Sequence, residues 1–329
     1  MKMKMSLENL IKNKKLHFVL KILLVAIVFL FIFSRLDFSK LKISLNSINL
    51  LFLALPIFLK VLGIFFSTFV LFFCIKAYKE DLTIKELFSI YWLSYFFNNL
   101  GLGSLGGDSF KWVKINRVIN SKLKTTFIII SEKILGFSML LSLVILTGGL
   151  IYFKRSLFWT MLSVPLSILI ISLFFLVWGI FFKKSKIKKL NGFFSKIGKL
   201  DLLFKKENRN FILFGVIFSF FFYLATIFAF YFIVFSINSS VPLNISFFII
   251  PLVILINSIP VSFQGLGIRE LSISYLFVIF GYPLELGFLA GGILLIINLI
   301  ISILSGLYYL SLNISLKKNP ILLQSLKNY

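Results

Sequence analysis

Residues 257–270 read Asn257-Ser258-Ile259-Pro260-Val261-Ser262-Phe263-Gln264-Gly265-Leu266-Gly267-Ile268-Arg269-Glu270, and apolar runs flank them at 245–256 and 271–280. Each run is shorter than the roughly 20 residues an α-helix needs to cross a bilayer. Between the runs stand a proline, two glycines and a charged pair. Irregular backbone and charge persist at membrane depth only when buried in protein or lining a wet cavity. Residues 245–280 therefore predict a broken helix, or a hairpin that enters the membrane and turns back.

The remainder of the chain supports the membrane setting. Of 329 residues, 59% are hydrophobic and 14% charged, with a mean hydropathy of +1.03. Soluble domains carry about 25% charged residues. The length leaves no room for a large soluble domain beside the spans. The net charge of +24 does not indicate nucleic acid, because it lies in loops between apolar runs, as the positive-inside rule requires. Cys74 and His17 are the sole cysteine and histidine, so neither a disulfide framework nor a His/Cys metal cluster can be built. There is no phosphate-binding G-x-x-x-x-G-K-[ST] loop. The expectation is a non-enzymatic protein that needs no cofactor and no metal.

Taken in order, residues 1–15 form a basic N-terminus and 16–33 a first, uncleaved span. A second span, 50–75, carries Lys60. This lysine either packs against a neighbouring helix, snorkels to an interface, or serves a cavity. Residues 87–99 are apolar and aromatic but as a helix reach only about 20 Å against a core of about 30 Å. Gly101, Gly103, Gly106 and Gly107 then lead to Asp108 and a basic amphipathic segment with Lys111, Lys114 and Arg117. Residues 87–110 thus predict a second broken element, entered from the cytoplasm. Spans follow at 125–152, 157–182, 211–237 and 287–312. The basic loop 183–209 reads either as a surface-lying amphipathic helix or as a solvated loop. A basic tail closes the chain at 313–329.

Parity supports this layout. If 87–110 does not cross, 26 lysines and arginines face the cytoplasm and five face outward, with both termini inside. The fold class is an all-α polytopic membrane protein with six full spans and two broken elements, one entered from each side. Asn99 with Ser104-Leu105-Gly106-Gly107 matches Asn257 with Ser262-Phe263-Gln264-Gly265 at the same spacing, which suggests an inverted repeat. Paired interrupted segments in two halves point to a transporter's binding site.

The candidate substrate-binding residues follow from that layout. Gly265 and Gly267 allow close backbone approach, and Arg269 at a helix start suits an anion such as a lipid phosphate. Adjacent helical residues do not face each other, so Arg269 and Glu270 are expected to need separate partners. Glu132 lies inside a span with nothing in its own turn to neutralise it, so it reads as a site residue or a packing residue. Asp108 reads either as part of the site or as the N-cap of the next helix. Lys111, Lys114 and Arg117 read as surface lysines and arginine, or as contacts to anionic headgroups at the cytoplasmic face. The two broken elements are expected to meet near the midplane around one polar cavity.

Gly106-Gly107-Asp108 after a short aromatic run, Ser131-Glu132-Lys133-Ile134-Leu135-Gly136, and the P-x-S-x-x-G-x-G-x-R-E pattern of 260–270 together resemble the lysylphosphatidylglycerol synthase transmembrane-region family, also called flippase-like proteins. The resemblance covers roughly 16–312. It implies a flippase-like transmembrane domain over that range in the cell membrane, with a membrane lipid as substrate. It also implies translocation of aminoacylated phosphatidylglycerol or handling of hopanoid or polyprenyl-linked glycolipids. Asp108, Glu132, Arg269 and Glu270 fall on the family's motif positions. No soluble aminoacyl-transferase domain is present, so lipid synthesis by this chain is not expected. The alternative is a membrane subunit of a lipid-modifying transferase, or a scaffold with a lipid-modifying enzyme as partner.

Overall fold

A computed structural model of the chain describes residues 26–27, 29–98, 104–152, 206–238, 240–258 and 265–318. The expected N-terminus 1–15, most of span 16–33, span 157–182, most of loop 183–209 and most of the tail 313–329 lie outside these residues, as do 99–103 and 259–264.

All regular structure among the described residues is helical, as local signals require. Asp37 caps α1 (Phe38–Asn46), its carboxylate accepting from the Ser39 and Lys40 N–H groups. A 3₁₀ turn, Leu50–Leu53, leads into α2 (Ala54–Ala77). A reciprocal capping box of Thr83 and Glu86 starts α3 (Ile84–Phe97). Then come α4 (Ser104–Ile119) and α5 (Lys122–Tyr152). The second half holds α6 (Arg209–Ile237), α7 (Leu243–Asn257), α8 (Ile268–Ile279) and α9 (Leu284–Lys318). Among the described residues, four helical stretches are long and apolar enough to cross a membrane: Leu50–Ala77, Lys122–Gly148, Arg209–Ile237 and Leu284–Ser311. They fall on the expected spans 50–75, 125–152, 211–237 and 287–312.

Both broken elements are present as short helices in sequence pairs, α3 with α4 and α7 with α8. With 14 and 15 residues, α3 and α7 reach about 21 and 22 Å, short of the roughly 30 Å core.

These helices form two equivalent sets, α2–α5 and α6–α9. Each packing contact in one set has its counterpart in the other: α2 on α3 with α6 on α7, α4 on α5 with α8 on α9, and α3 on α9 with α7 on α5. The equivalent helices α2 and α6 run antiparallel against each other. Phe73 meets Phe214, Phe69 stacks on Phe218 at 4.6 Å, Phe66 meets Phe221, and Phe52 just before α2 meets Phe235. Equivalent helices that run antiparallel make the repeat an inverted one. Gly107 and Gly265, the matched glycines of the two elements, are 158 residues apart. The same shift carries Ile64 onto Phe222, and Gly63 packs on the Phe222 ring where α2 and α6 cross. The motif spacing and the helix register thus place the pseudo-twofold axis at one point.

Lipid tails are as apolar as leucine, so helix association in a membrane rests on close packing and interhelical hydrogen bonds. The phenylalanines supply much of the first between α2 and α6. Ser305 donates across helices to the Trp92 carbonyl at 2.6 Å. Small residues on α9 let α8 approach closely: a Cβ on Gly287 would lie 2.5 Å from the Ser274 Cα, and one on Gly291 3.3 Å from the Glu270 Cα.

Candidate functional site

The first broken element and α5 bring five polar side chains together. Lys111, on the inward face of α4, is only 3% exposed, and Glu132 of α5 is 6% exposed. The Lys111 Nζ lies 2.9 and 3.1 Å from the two Glu132 carboxylate oxygens and 3.2 Å from Asp108 Oδ1. Tyr91 of α3 donates its hydroxyl to Glu132, and its ring sits 4.4 Å from the Lys111 Nζ. The outer edge is a 2.8 Å pair between Lys133 and Asp108 Oδ2, with the Lys133 side chain 54% exposed. Two lysines and two carboxylates balance in charge. A buried pair survives only with such geometry, because desolvating two charges opposes their attraction.

The second element supplies a different arrangement. Gly265 and Gly267 adopt φ of +78° and +79°, a region that residues with a Cβ seldom enter. They set the start of α8, where Arg269 N–H donates to the Gly265 carbonyl at 2.7 Å. The Glu270 carboxylate folds back to accept from the Gly267 N–H at 2.7 Å through Oε2. Its Oε1 takes Arg269 Nε at 3.0 Å and Nη2 at 2.6 Å. Arg269 is 7% exposed and Glu270 2%.

Several expectations need correction. Arg269 and Glu270 do not take separate partners; they pair with each other. Glu270 leaves its own face to cap the helix, which brings Oε1 within reach of the long guanidinium arm. Glu132 is neutralised, from α4 rather than from its own turn. Asp108 is no N-cap, because α4 begins at Ser104 and the carboxylate binds two lysines. Gly106 and Gly107 lie within α4. Gly107 is small because its N–H donates to Asn98 Oδ1 at 2.9 Å, where a Cβ would lie 2.2 Å from that oxygen. Lys111 is buried, not a surface residue.

Nor do the four motif residues share one cavity. Asp108 and Glu132 belong to the first cluster, Arg269 and Glu270 to the second. Among the described residues no hydrogen bond or ion pair joins one cluster to the other. Lys111 and Arg269 are 158 residues apart, the spacing of Gly107 and Gly265, so the repeat carries one buried cation onto the other. Lys111 and Tyr91 are the residues that reading the chain missed. The available signal was that spacing, with Asp108 three positions before Lys111.

Replacing Gly265 by alanine is expected to cost about 1–2 kcal/mol from the left-handed backbone. A further loss comes from Asn257, whose Oδ1 would lie 2.8 Å from the new Cβ. Gly281→Ala shares the positive φ of +81° but meets nothing within 4 Å, so it reports the backbone share alone. Thermal unfolding of the detergent-solubilised variants measures both.

Fold and site define an all-α polytopic membrane protein whose inverted halves each bury a paired cation. The chain belongs to the family described as the lysylphosphatidylglycerol synthase TM region, whose model matches residues 18–306. No curated protein matches the chain.

Proposed function

We propose that the protein binds the headgroup of an anionic or aminoacylated phospholipid, or of a polyprenyl-linked glycolipid, and passes it across the cell membrane without making or breaking a covalent bond. Both termini face the cytoplasm in this reading. The observation that carries it is the repeat of a buried cation, Lys111 in one half and Arg269 in the other, 158 residues apart. A bare charge at the bilayer centre costs about 2.5–3.5 kcal/mol on insertion scales. Two polar stations between the surfaces divide that barrier. Arg269 is suited to a phosphate, because Glu270 engages only Nε and Nη2 of a guanidinium with five N–H donors. The carboxylates of Asp108 and Glu132 suit an ammonium or hydroxyl of the headgroup, which would compete with Lys133 at the exposed edge.

The test is reconstitution into vesicles carrying a labelled phosphatidylglycerol, with headgroup accessibility followed over time. Arg269→Ala and Glu270→Ala are each expected to slow headgroup movement by at least about tenfold, the loss of one charge-assisted contact. Movement at the unaltered rate in both folded variants removes Arg269 and Glu270 from the site.

A further inference from the structure

One charge of the first cluster faces outward. On α5, Ile130, Phe137, Leu141 and Ile145 are 39%, 45%, 37% and 68% exposed. Half-exposed Lys133 falls among them at three- and four-residue intervals, so all five share one face of the helix. A lysine in such an apolar stripe normally stands at the membrane surface or snorkels toward it. Lys133 does neither. Helices α4 and α5 run antiparallel from a joint at 120–121. Near that joint Thr125 donates to Asn116 Oδ1 at 3.4 Å, and Trp112 Nε1 donates to Thr126 Oγ1 at 3.0 Å. Lys114, Arg117 and Lys122 place the joint among the headgroups. Asp108 and Lys133 are each eleven residues from it, counted from Ile119 and Lys122, or about 16 Å along the helices. The headgroup layer is roughly 5–7 Å thick, so the pair lies inside the hydrocarbon. There Lys133 Nζ turns to Asp108 Oδ2 at 2.8 Å. Charges at such depth pair or mark a ligand path.

This pair is also the part of the cluster that opens most readily. An ammonium has three N–H donors. Three carboxylate oxygens surround that of Lys111: Glu132 Oε1 and Oε2 at 2.9 and 3.1 Å and Asp108 Oδ1 at 3.2 Å. When Lys133 swings away, Asp108 keeps Lys111, and no carboxylate loses its only cation. We infer that Lys133 is the lateral entry point for an anionic phospholipid, exchanging Asp108 for the lipid phosphate while the acyl chains lie along the Ile130–Ile145 face of α5. That apolar face selects a lipid over free phosphate. The inference deepens the proposed function, and rests on it for the passage of the lipid beyond Lys133.

The experiment reconstitutes the full-length protein into phosphatidylcholine vesicles containing a phosphatidylglycerol with a photoactivatable diazirine in one acyl chain. Labelled peptides are mapped by mass spectrometry after illumination. Label on 130–145 is divided by label on the exposed, uncharged face of α9 that holds Ile296, Ile303 and Leu307, which reports ordinary lipid contact. The ratio is expected to fall about fivefold in Lys133→Gln, the worth of one lysine–lipid charge contact, and to persist in Lys133→Arg. Asp108→Asn is expected to raise it, because Lys133 loses its competitor; a purely structural pair would give no rise. A diacylglycerol with the same diazirine, lacking the phosphate, is expected to give the low ratio of Lys133→Gln. Lys133→Gln should melt like the wild type, since a half-exposed pair adds little stability. If it does not fold, the comparison of phosphatidylglycerol with diacylglycerol on the wild type decides. An equal ratio for wild type and folded Lys133→Gln, or for the two lipids, overturns the entry site. Lys133-dependent label without headgroup movement keeps the entry site while the translocation reading fails. Headgroup movement without that label overturns the entry site and leaves translocation standing.

Discussion

Replacing Glu132 by glutamine is expected to destabilise the protein by about 3 kcal/mol, the low end of what breaking a buried ion pair costs. The shape and hydrogen-bonding ends of the side chain survive, but Lys111, 3% exposed, loses the carboxylate at 2.9 Å. The low end applies because Asp108 still stands 3.2 Å from the ammonium. The diagnostic is the double variant. Lys111→Met alone leaves Glu132 buried without its cation, while Lys111→Met with Glu132→Gln leaves no charge uncompensated at that pair. Unfolding in mixed micelles should show the double variant more stable than Glu132→Gln alone. Additive losses would mean that the two side chains do not act as a pair.

The second large effect concerns the approach of α8 to α9. Gly287→Ala places a Cβ 2.5 Å from the Ser274 Cα, 3.0 Å from the Ser274 N and 3.0 Å from the Ile273 carbonyl oxygen. All three are backbone atoms of a helix, so no rotamer change relieves the clash and α8 has to move. Overpacking of this kind costs about 1–3 kcal/mol, sometimes more. Because α8 carries Arg269 and Glu270, displacing it should also lower phosphatidylglycerol retention. Gly292→Ala is the control: it lies five residues on in the same helix, and a Cβ there meets nothing within 4 Å. Its stability should match the wild type or rise slightly, since alanine is the better helix former. If Gly287→Ala melts like Gly292→Ala, the close α8–α9 packing is not as described.

The long apolar runs were readable in the chain because a membrane allows few solutions. Backbone groups in lipid must be satisfied internally, so such a run is a helix wherever it occurs, and loop charge then orients it. The two short elements were readable for the same reason: α3 and α7 do not reach across. The inverted repeat was visible only as a five-residue match. Its weight comes from the antiparallel phenylalanine contacts of α2 and α6, which the local sequence does not express.

Partnership was the part that spacing misjudged. The rule that neighbouring helical residues face apart holds for Glu132 and Lys133, whose charges go to Lys111 and Asp108. It fails for Arg269 and Glu270, because a helix start lets the carboxylate fold back onto an N–H that has no helical acceptor. Lys111 looked like one more member of a basic surface. Its burial depends on α3 and α5 closing over one face of α4, and no pattern within α4 records that closure.

By itself, then, the amino-acid order determined a membrane protein, its long apolar helices, and the two short elements that carry charge among apolar runs. These follow from length, hydropathy and local backbone freedom. Only the tertiary structure decided that the charges form two separate clusters, Lys111 and Lys133 with Asp108 and Glu132, and Arg269 with Glu270. The reason is that ion pairing and depth are properties of helices meeting around an axis, and residues more than a hundred positions apart set that axis together.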